Sequence, residues 1–374
     1  MAFRKRQEKN IPKLEAIGRE IVDMCQGVPL AIRSIGSMLY FKETEFEWSS
    51  VKNNLLANVT QGNNIFSILK LSYDNLPTHL KSCFTYCSLF PKDYEMDKET
   101  IIQLWMAQGF IPSSNGNQQL EDVGDEYFND LLWRSFFEEV ITKPFGMLRY
   151  KMHDLIHDLA QSIAGEECKL VNFDAKNINE KIRHVSCPFS IDSSFIETLR
   201  SSVKGYKIRT FLQTSNWTFH AIQDESMLNT FILSFKSLRA LDFRGLKITR
   251  VPNSIGKLIH LKYLVLTCCS LETLLDSITR LWNLQTLKLE ECRKLKELPK
   301  NIKALVNLRH LDNSDSNKLS HMPSGLGQMT CLRTAPITGP ADPPQWFRWA
   351  ACSIEVAMTS GSGRVGIPRA VLPN

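Results

Sequence analysis

SLRALDFRGLKITRVPNSIGKL, residues 237–258, decides the fold because its pattern returns three more times. The later units are HLKYLVLTCCSLETLLDSITRL (260–281), NLQTLKLEECRKLKELPKNIKAL (283–305) and NLRHLDNSDSNKLSHMPSGLGQM (307–329). Their leading leucines, at 238, 261, 284 and 308 with Leu332 following, are 23 or 24 residues apart. An L-x-x-L-x-L pattern at this period is typical of leucine-rich repeats, which place a short strand on the concave side and an irregular return on the convex side. We therefore predict a repeat solenoid over residues 237–334.

The residues between the buried leucines are predicted to face outward in columns, because side chains alternate along a strand. One column contains Arg239, Lys262, Gln285 and Arg309, and a second contains Asp242, Val265, Lys288 and Asp312. A concave face of mixed charge is suited to protein contacts. The alternative is a face that is only solvated.

Residues 1–62 read as a helical segment. Apolar residues recur at helical spacing over 13–41, where Gly27 predicts the end of one helix and Pro29 the first turn of the next. Residues 45–56 and 65–75 predict further short helices.

Residues 63–168 have the order of a winged-helix domain. LPTHLKSCFTYCSLF (76–90), DKETIIQLWMAQGF (97–110) and VGDEYFNDLLWRSF (123–136) predict three helices, the second capped by Asp97. FFEEV and MLRYKM around a TKPFG turn then predict a β-hairpin. Some winged helices read DNA through such a third helix, but the acidic residues here would repel phosphates: Asp122, Asp125, Glu126 and Asp130.

Two weaker segments flank the repeats. Residues 169–236 contain KIRHVSC and KIRTFLQT, which predict degenerate strands ahead of the regular repeats. Residues 335–374 contain six prolines and no repeat leucines, and we predict an irregular tail there.

KMHDLIHDLAQSIAG, residues 151–165, places His153 and His157 four residues apart. On a helix this spacing permits a zinc pair, but the usual glutamate is replaced by Asp154, and no third-ligand motif follows. A second interpretation is structural, with Asp154 capping the helix while the leucines and isoleucine pack.

These motifs, in this order, resemble those of plant nucleotide-binding leucine-rich-repeat immune receptors, in the class that has an N-terminal coiled coil rather than a TIR domain. GVPL (27–30) matches the family's GLPL motif. CFTYCSLFP (83–91), with KDYEMDKETIIQLWMAQGFI behind it, matches the segment that separates this class from the TIR class. MHDL (152–155) matches the MHD motif.

The resemblance implies site residues. Pro29 would pack on the adenine ring, His153 would reach the β-phosphate of ADP, and Asp154 would help to hold the inactive arrangement. The family's phosphate-binding motif, G-x-x-x-x-G-K-[ST], is absent from the 374 residues, as is the acidic metal-binding strand. Because that loop supplies most phosphate contacts, we expect this chain alone to bind ADP or ATP weakly or not at all and to have no catalytic residue.

Composition limits the remaining possibilities. A net charge of +6 over 374 residues is too small to argue for nucleic acid or membrane as a partner. Ten cysteines without a C-x-x-C pair predict reduced thiols, hence a cytosolic or nuclear protein. No secretory signal or apolar run predicts a membrane span.

The predicted fold class is α plus α/β: a helical remnant of the nucleotide-binding (NB-ARC) module and a winged helix, followed by a leucine-rich-repeat solenoid. The predicted function is part of a plant intracellular immune receptor, a nucleotide-gated switch coupled to recognition by the repeats. Its partners would be a pathogen effector, a guarded host protein or the receptor's own nucleotide-binding module. The alternative is a truncated interaction module that binds a full-length receptor or a guarded protein without nucleotide. A third possibility is an incomplete gene product without activity.

Overall fold

The computed structural model describes residues 11–59, 64–112, 118–142, 146–171, 180–189, 193–202, 207–214, 225–246, 248–319 and 322–334. The chain forms two compact units, Met1–Cys168 and Lys169–Asn374. The tail predicted at 335–374 lies outside the described residues. Among the helices that are described, none is long and apolar enough to cross a bilayer.

The first unit begins with the four predicted helices: α1 (Ile11–Met24), α2 (Pro29–Tyr40), α3 (Glu45–Val59) and α4 (Asn64–Asp74). Gly27 has a φ of +73°, which ends the α1 turn, and Pro29 occupies the first position of α2, as predicted. Trp48 is fully buried at the centre of their core. Ile68 and Leu71 of α4 join this core, although the sequence assigned residues from 63 onward to the winged helix.

The winged helix follows in the predicted order: α5 (Thr78–Tyr86), α6 (Lys98–Gln108), α7 (Leu120–Trp133), the hairpin β1 (Glu138–Thr142) and β2 (Met147–Lys151), and α8 (Asp154–Ala164). Asp97 caps α6 by accepting the Thr100 N–H at 3.0 Å, and its other oxygen pairs with Arg149 of β2 at 2.6 Å. One carboxylate therefore fixes the start of a helix and the position of the hairpin.

Helices α6 and α7 approach closely at Gly124. A Cβ at this residue would clash with Cγ2 of Ile102 and would lie 2.9 Å from Cδ1 of Ile111. Trp105 of α6 is fully buried, and its indole N–H donates to the Cys83 carbonyl at 3.1 Å. Gly124 and Trp105 thus lie at two close contacts of the winged-helix core.

The repeats form a seven-stranded sheet with its strands in sequence order. The strands are β3 (Cys168–Leu170), β4 (His184–Cys187), β5 (Thr210–Gln213), β6 (Ala240–Asp242), β7 (Tyr263–Val265), β8 (Thr286–Lys288) and β9 (His310–Asp312). β4 to β9 pair in parallel. Strands β4 and β5 confirm the predicted degenerate strands. The sequence did not predict β3 or the helices α9 (Ser193–Ser202) and α10 (Glu225–Ser234) between the early strands.

Short 3₁₀ turns replace helices on the return path of the regular repeats, at Asn253–Lys257, Asp276–Arg280, Ile302–Ala304 and Leu326–Gln328. The leading leucines from Leu238 to Leu308 are fully buried in one continuous core. The predicted solenoid is confirmed.

Polar side chains join each regular repeat to the one before it. The Cys292 thiol donates to the Leu266 carbonyl at 3.1 Å, and the Ser316 hydroxyl donates to the Leu289 carbonyl at 2.9 Å. Because these residues hold equivalent positions in successive units, Cys292 serves as a buried hydrogen-bonding group. The nine cysteines that the structure describes are all free.

The fourth repeat departs from the pattern at Asn313. The equivalent residues of the two preceding repeats are Leu266 and Leu289, and both are buried in the core. Asn313 is only 1% exposed, and neither its Oδ1 nor its Nδ2 has a hydrogen-bond partner within the described ranges. A buried amide without partners destabilises the end of the array.

Candidate functional site

His153 lies at the junction between the hairpin and α8, and it is the N-cap of that helix. Its Nδ1 accepts the Leu155 N–H at 3.2 Å, and its carbonyl accepts the N–H groups of Ile156 and His157. An Nδ1 that accepts a hydrogen bond carries no proton, so the neutral ring has its proton on Nε2. The side chain is exposed and therefore presents an N–H donor to the solvent at the start of a helix.

The interpretation in which Asp154 caps α8 is wrong. Asp154 is the first residue of the helix and is exposed, whereas the capping atom belongs to His153. The packing part of that interpretation holds, since Ile156 and Leu159 are buried.

Charged side chains surround His153. Lys92 pairs with Asp158 at 2.7 Å, and Lys151 pairs with Asp93 at 2.9 Å. The hydrogen bond from Lys151 lowers the pKa of Asp93, and the nearby His153 and Lys92 lower it further. The pKa of Lys92 is raised, mainly by its hydrogen bond to Asp158. Two lysines and an imidazole donor therefore adjoin the N-terminus of α8, which itself favours an anion.

His157 has a different environment from His153. It is buried, and its Nε2 lies 2.7 Å from the Phe90 carbonyl, so Nε2 is protonated and donates. Its other nitrogen, Nδ1, is buried and has no hydrogen-bond partner within the described ranges, whereas the ring of His153 is exposed to solvent. Across the described ranges, no group of three or more His, Cys, Asp or Glu residues is placed to hold one.

Pro29 stands exposed at the first position of α2, after a turn in which Gln26 and Gly27 have positive φ. Val28, the N-cap, supplies no side-chain hydrogen bond, so the start of the helix is open. The hydroxyl of Ser34 bonds to that of Ser72 at 2.8 Å in the core, which fixes α2 on α4, and α4 packs in turn on α8. Pro29 and His153 therefore lie at the exposed N-termini of two helices, α2 and α8, in the same unit.

The acidic residues of α7 are partly neutralised within the winged helix. Lys98 contacts Asp125 at 2.6 Å, and Arg134 contacts Asp130 at 2.9 Å. Asp122 and Glu126 add further negative charge to the same helix. The helix that reads DNA in some winged-helix proteins is thus acidic here.

The first predicted column of the repeats is assembled in register. Because Ala240, Tyr263, Thr286 and His310 pair across neighbouring strands, the residues before them, Arg239, Lys262, Gln285 and Arg309, adjoin one another. Burial lowers the pKa of Lys262, and the Arg239 charge lowers it further. The pKa of Arg239 is lowered by burial and by Arg209. Sequence analysis missed Arg183, Arg209 and Arg333, which extend the column at both ends and could have been found by aligning the degenerate units.

The second predicted column is also assembled in register, but two of its members are buried. Asp242 is 2% exposed, because Nε of Arg244 donates to its Oδ2 at 2.8 Å and the Arg244 backbone N–H donates to its Oδ1 at 2.9 Å. Val265 is 1% exposed. Lys288 stays half-buried, with its Nζ 5.9 Å from the Tyr263 ring centre.

Asp312, the last member of that column, is half-buried and bound to its own turn. Its Oδ1 accepts the backbone N–H of Ser314 at 3.0 Å and the Ser314 hydroxyl at 2.7 Å. The carboxylate therefore serves a local turn, as the carboxylate of Asp242 does.

Two family models match the chain. One, described as the winged helix domain of disease resistance proteins, covers residues 89–160, and the other, described as a leucine-rich repeat region, covers residues 217–339. A solved leucine-rich repeat domain, that of the type III effector XCV3220 (XopL), aligns with 65% of this chain and 88% of its own, at 15% identity and a TM-score of 0.33.

Curated relatives are similar over both units. The chain is 40% identical over 290 residues to disease resistance protein RGA2 of Solanum bulbocastanum, covering 77% of this chain and 26% of that protein. It is 39% identical to putative disease resistance protein RGA1 of the same species, covering 70% and 23%. It is 33% identical to disease resistance protein RPM1 of Arabidopsis thaliana, covering 66% and 26%. The chain thus spans about a quarter of the length of these relatives.

Proposed function

We propose that this chain, which is homologous over its winged helix and repeats to plant disease resistance proteins, is the part of an intracellular immune receptor that couples nucleotide state to recognition by the repeats. In the complete receptor, ADP would bridge a phosphate-binding loop and the winged helix. Replacement of ADP by ATP would break the bridge and release the domains.

The observation that supports the switch is the orientation of His153. Its Nδ1 is engaged by the Leu155 N–H, so Nε2–H is the donor available to a phosphate oxygen. The N-terminus of α8 favours an anion at the same point. Lys92 and Lys151 lie nearby but pair with Asp158 and Asp93, so each would have to exchange its carboxylate for a phosphate oxygen. Pro29, exposed at the start of α2, supplies an apolar ring for the adenine face. Asp154, the first residue of α8, would help to hold the inactive, ADP-bound arrangement.

Binding by this chain alone is expected to be weak. Phosphates are held mainly by the backbone N–H groups of a glycine-rich loop and by its lysine, and the sequence contains no G-x-x-x-x-G-K-[ST] motif. ATP hydrolysis is not expected, because the acidic strand that positions the metal is also absent from the 374 residues.

Calorimetric titration of the full chain with ADP tests the proposal. The proposal is supported if the wild type gives heat of binding, His153→Ala abolishes it, and His260→Ala, a change at an exposed histidine of the repeats, leaves it intact. That result would mean that part of the nucleotide site lies on the winged helix. Equal binding by wild type and His153→Ala would refute the role of His153. A titration with zinc separates nucleotide binding from metal binding by the histidine pair.

The second candidate function is an interaction module that needs no nucleotide. The column of basic residues along the repeats supports it, because Arg239 and Lys262 adjoin one another on paired strands without any nucleotide. Absence of ADP binding together with retained binding of a protein partner would select this candidate over the switch.

A further inference from the structure

Three large hydrophobic side chains are exposed at the same position of successive repeats. Ile259, Trp282 and Val306 are 46%, 59% and 57% exposed, and each follows a fully buried leucine: Leu258, Leu281 and Leu305. We call Ile259, Trp282 and Val306 the apolar stripe. Single exposed hydrophobic residues are ordinary on protein surfaces, but a column of three in register is a contiguous patch of the kind found at interaction sites.

The backbone holds the apolar stripe in place. The Asn283 side-chain amide donates to the Ile259 carbonyl at 2.7 Å, and the Asn307 amide donates to the Trp282 carbonyl at 2.8 Å. These two asparagines therefore fix the backbone at Ile259 and Trp282, the first two members of the stripe. Parallel strands lie about 4.8 Å apart, so the stripe residues follow one another at roughly that spacing. A rigid row of anchors loses little conformational entropy when a partner binds.

Cations lie on both sides of the apolar stripe in sequence. Lys257, Arg280 and Lys303 are exposed on the preceding 3₁₀ turns. Lys262 and Arg309 follow, directly before β7 and β9, with the neutral Gln285 between them. Segments 255–263, 278–286 and 302–310 contain no aspartate or glutamate. An apolar row between basic borders is complementary to an apolar face with acidic borders.

We propose that the apolar stripe is the docking site for an amphipathic α-helix of a protein partner, with apolar side chains along one face and acidic side chains on both flanks. The inference deepens the proposed function, since it names the class of partner that the repeats recognise. A helix laid across the repeats places a side chain about every 5.4 Å along its axis, close to the spacing of about 4.8 Å. An extended peptide places side chains on one face only every 6.6–6.8 Å or so, and loses register within three repeats.

The charges favour such a helix over nucleic acid. A phosphate backbone would use the flanking cations but would leave Trp282 and Val306 in water, unless bases stacked on the indole. A helix covers the apolar and the basic groups together. Trp is also among the residues that dominate interface energy when they are buried at the centre of a contact, and Trp282 is the middle member of the stripe.

The test uses a fluorescein-labelled synthetic helix of about 18 residues, with leucines every third or fourth position and glutamates beside them. Its anisotropy is followed on titration with the full chain. Trp282→Glu should weaken binding at least about tenfold. The matched control is Phe46→Glu, a change at a side chain 82% exposed on α3, which should alter binding less than about twofold. A peptide with lysine in place of every glutamate should not bind.

Contrary outcomes are distinct. Equal effects of Trp282→Glu and Phe46→Glu would overturn the proposal, as would tighter, competing binding of a single-stranded oligonucleotide. A wild type that sediments as a dimer and a Trp282→Glu variant that sediments as a monomer would assign the stripe to a second copy of the chain. Circular dichroism confirms folding, and Trp282→Ser serves if Trp282→Glu aggregates. The ADP titration is independent, because His153 and the apolar stripe belong to different units: either result can fail alone.

Discussion

Replacing Asn313 by leucine is expected to stabilise the last repeats. Asn313 occupies a position that is leucine in the two preceding units, it is 1% exposed, and both polar atoms of its amide lack partners within the described ranges. Leucine would remove an unpaired polar group, whose burial costs about 1–3 kcal/mol. It would also gain about 1.5–3 kcal/mol from buried apolar surface.

Imperfect fit reduces this gain. The cavity was shaped around an asparagine, and a larger side chain in a packed core costs about 1–3 kcal/mol. The net expectation is a gain of about 2 kcal/mol, or about thirtyfold in the opening equilibrium. The converse change, Leu289→Asn, introduces the same defect one repeat earlier and should cost about 2–5 kcal/mol.

Hydrogen exchange is the suitable assay, because a solenoid opens unit by unit and the effect should be local. Amide exchange around β9 should slow about thirtyfold in Asn313→Leu, while exchange in α6 of the winged helix stays unchanged. Faster exchange around β9 in the variant would refute the reasoning. It would mean that the amide of Asn313 is bonded in solution.

Three further predictions follow from burial and close contact. Burial and the charges of Arg209, Arg239 and Arg183 lower the pKa of His184 to about 3 in the folded chain, against 6.5 for the free side chain. The contribution of neutral His184 to the free energy of unfolding should therefore be fully present above pH 6.5 and be lost as the pH falls towards 3. The urea midpoint of His184→Gln should depend less steeply on pH between about 4 and 7 than that of the wild type. Gly124→Ala should destabilise the winged helix by about 1–3 kcal/mol, since a Cβ there meets Ile102 and Ile111. Gly36→Ala, inside α2 with nothing within 4 Å, should instead stabilise the chain by up to about 1 kcal/mol, and thermal melts compare the two variants. Iodoacetamide should modify the exposed Cys268 before Cys292, because burial raises the pKa of the Cys292 thiol to about 12. Equal labelling of the two cysteines by mass spectrometry would contradict the buried hydrogen bond from Cys292 to the Leu266 carbonyl.

Most of the repeat sheet was predictable from the sequence, because each leucine period contains one strand that pairs with the strand of the next period. The same reasoning failed where the leucines do not recur at the repeat spacing. Helices α9 and α10 fall in a segment without repeated leucines, and β3 precedes the first recognisable unit, so periodicity contained no signal for them. KIRHVSC and KIRTFLQT were predictable as strands because they retain the basic residue before the strand and the core residues Val185 and Phe211 at the position of the second repeat leucine.

The candidate sites were predictable in position but not in geometry. The outward column failed at Asp242 because Arg244, two residues on, covers the carboxylate, and strand alternation does not anticipate such a contact. The cap of α8 was assigned to Asp154 because aspartate is a preferred N-cap, whereas histidine is not. In the structure the helix begins one residue earlier, and an imidazole nitrogen accepts the N–H. The exposure of Trp282 was not predictable, because it lies outside the strands, next to the buried Leu281, where the repeat pattern does not separate buried from exposed positions.

The amides of Asn283 and Asn307 also affect how such a chain can vary between related genes. Asn283 and Asn307 each donate to a carbonyl of the repeat before them, whereas the equivalent residues of the neighbouring units are His260 and Cys331. We expect unequal crossing-over that removes or duplicates one whole unit of 23 or 24 residues to restore the bond where the unit after the new junction begins with one of these asparagines. Such an event would shorten or lengthen the array while preserving its fold. A population of alleles could then differ in repeat number without passing through misfolded intermediates.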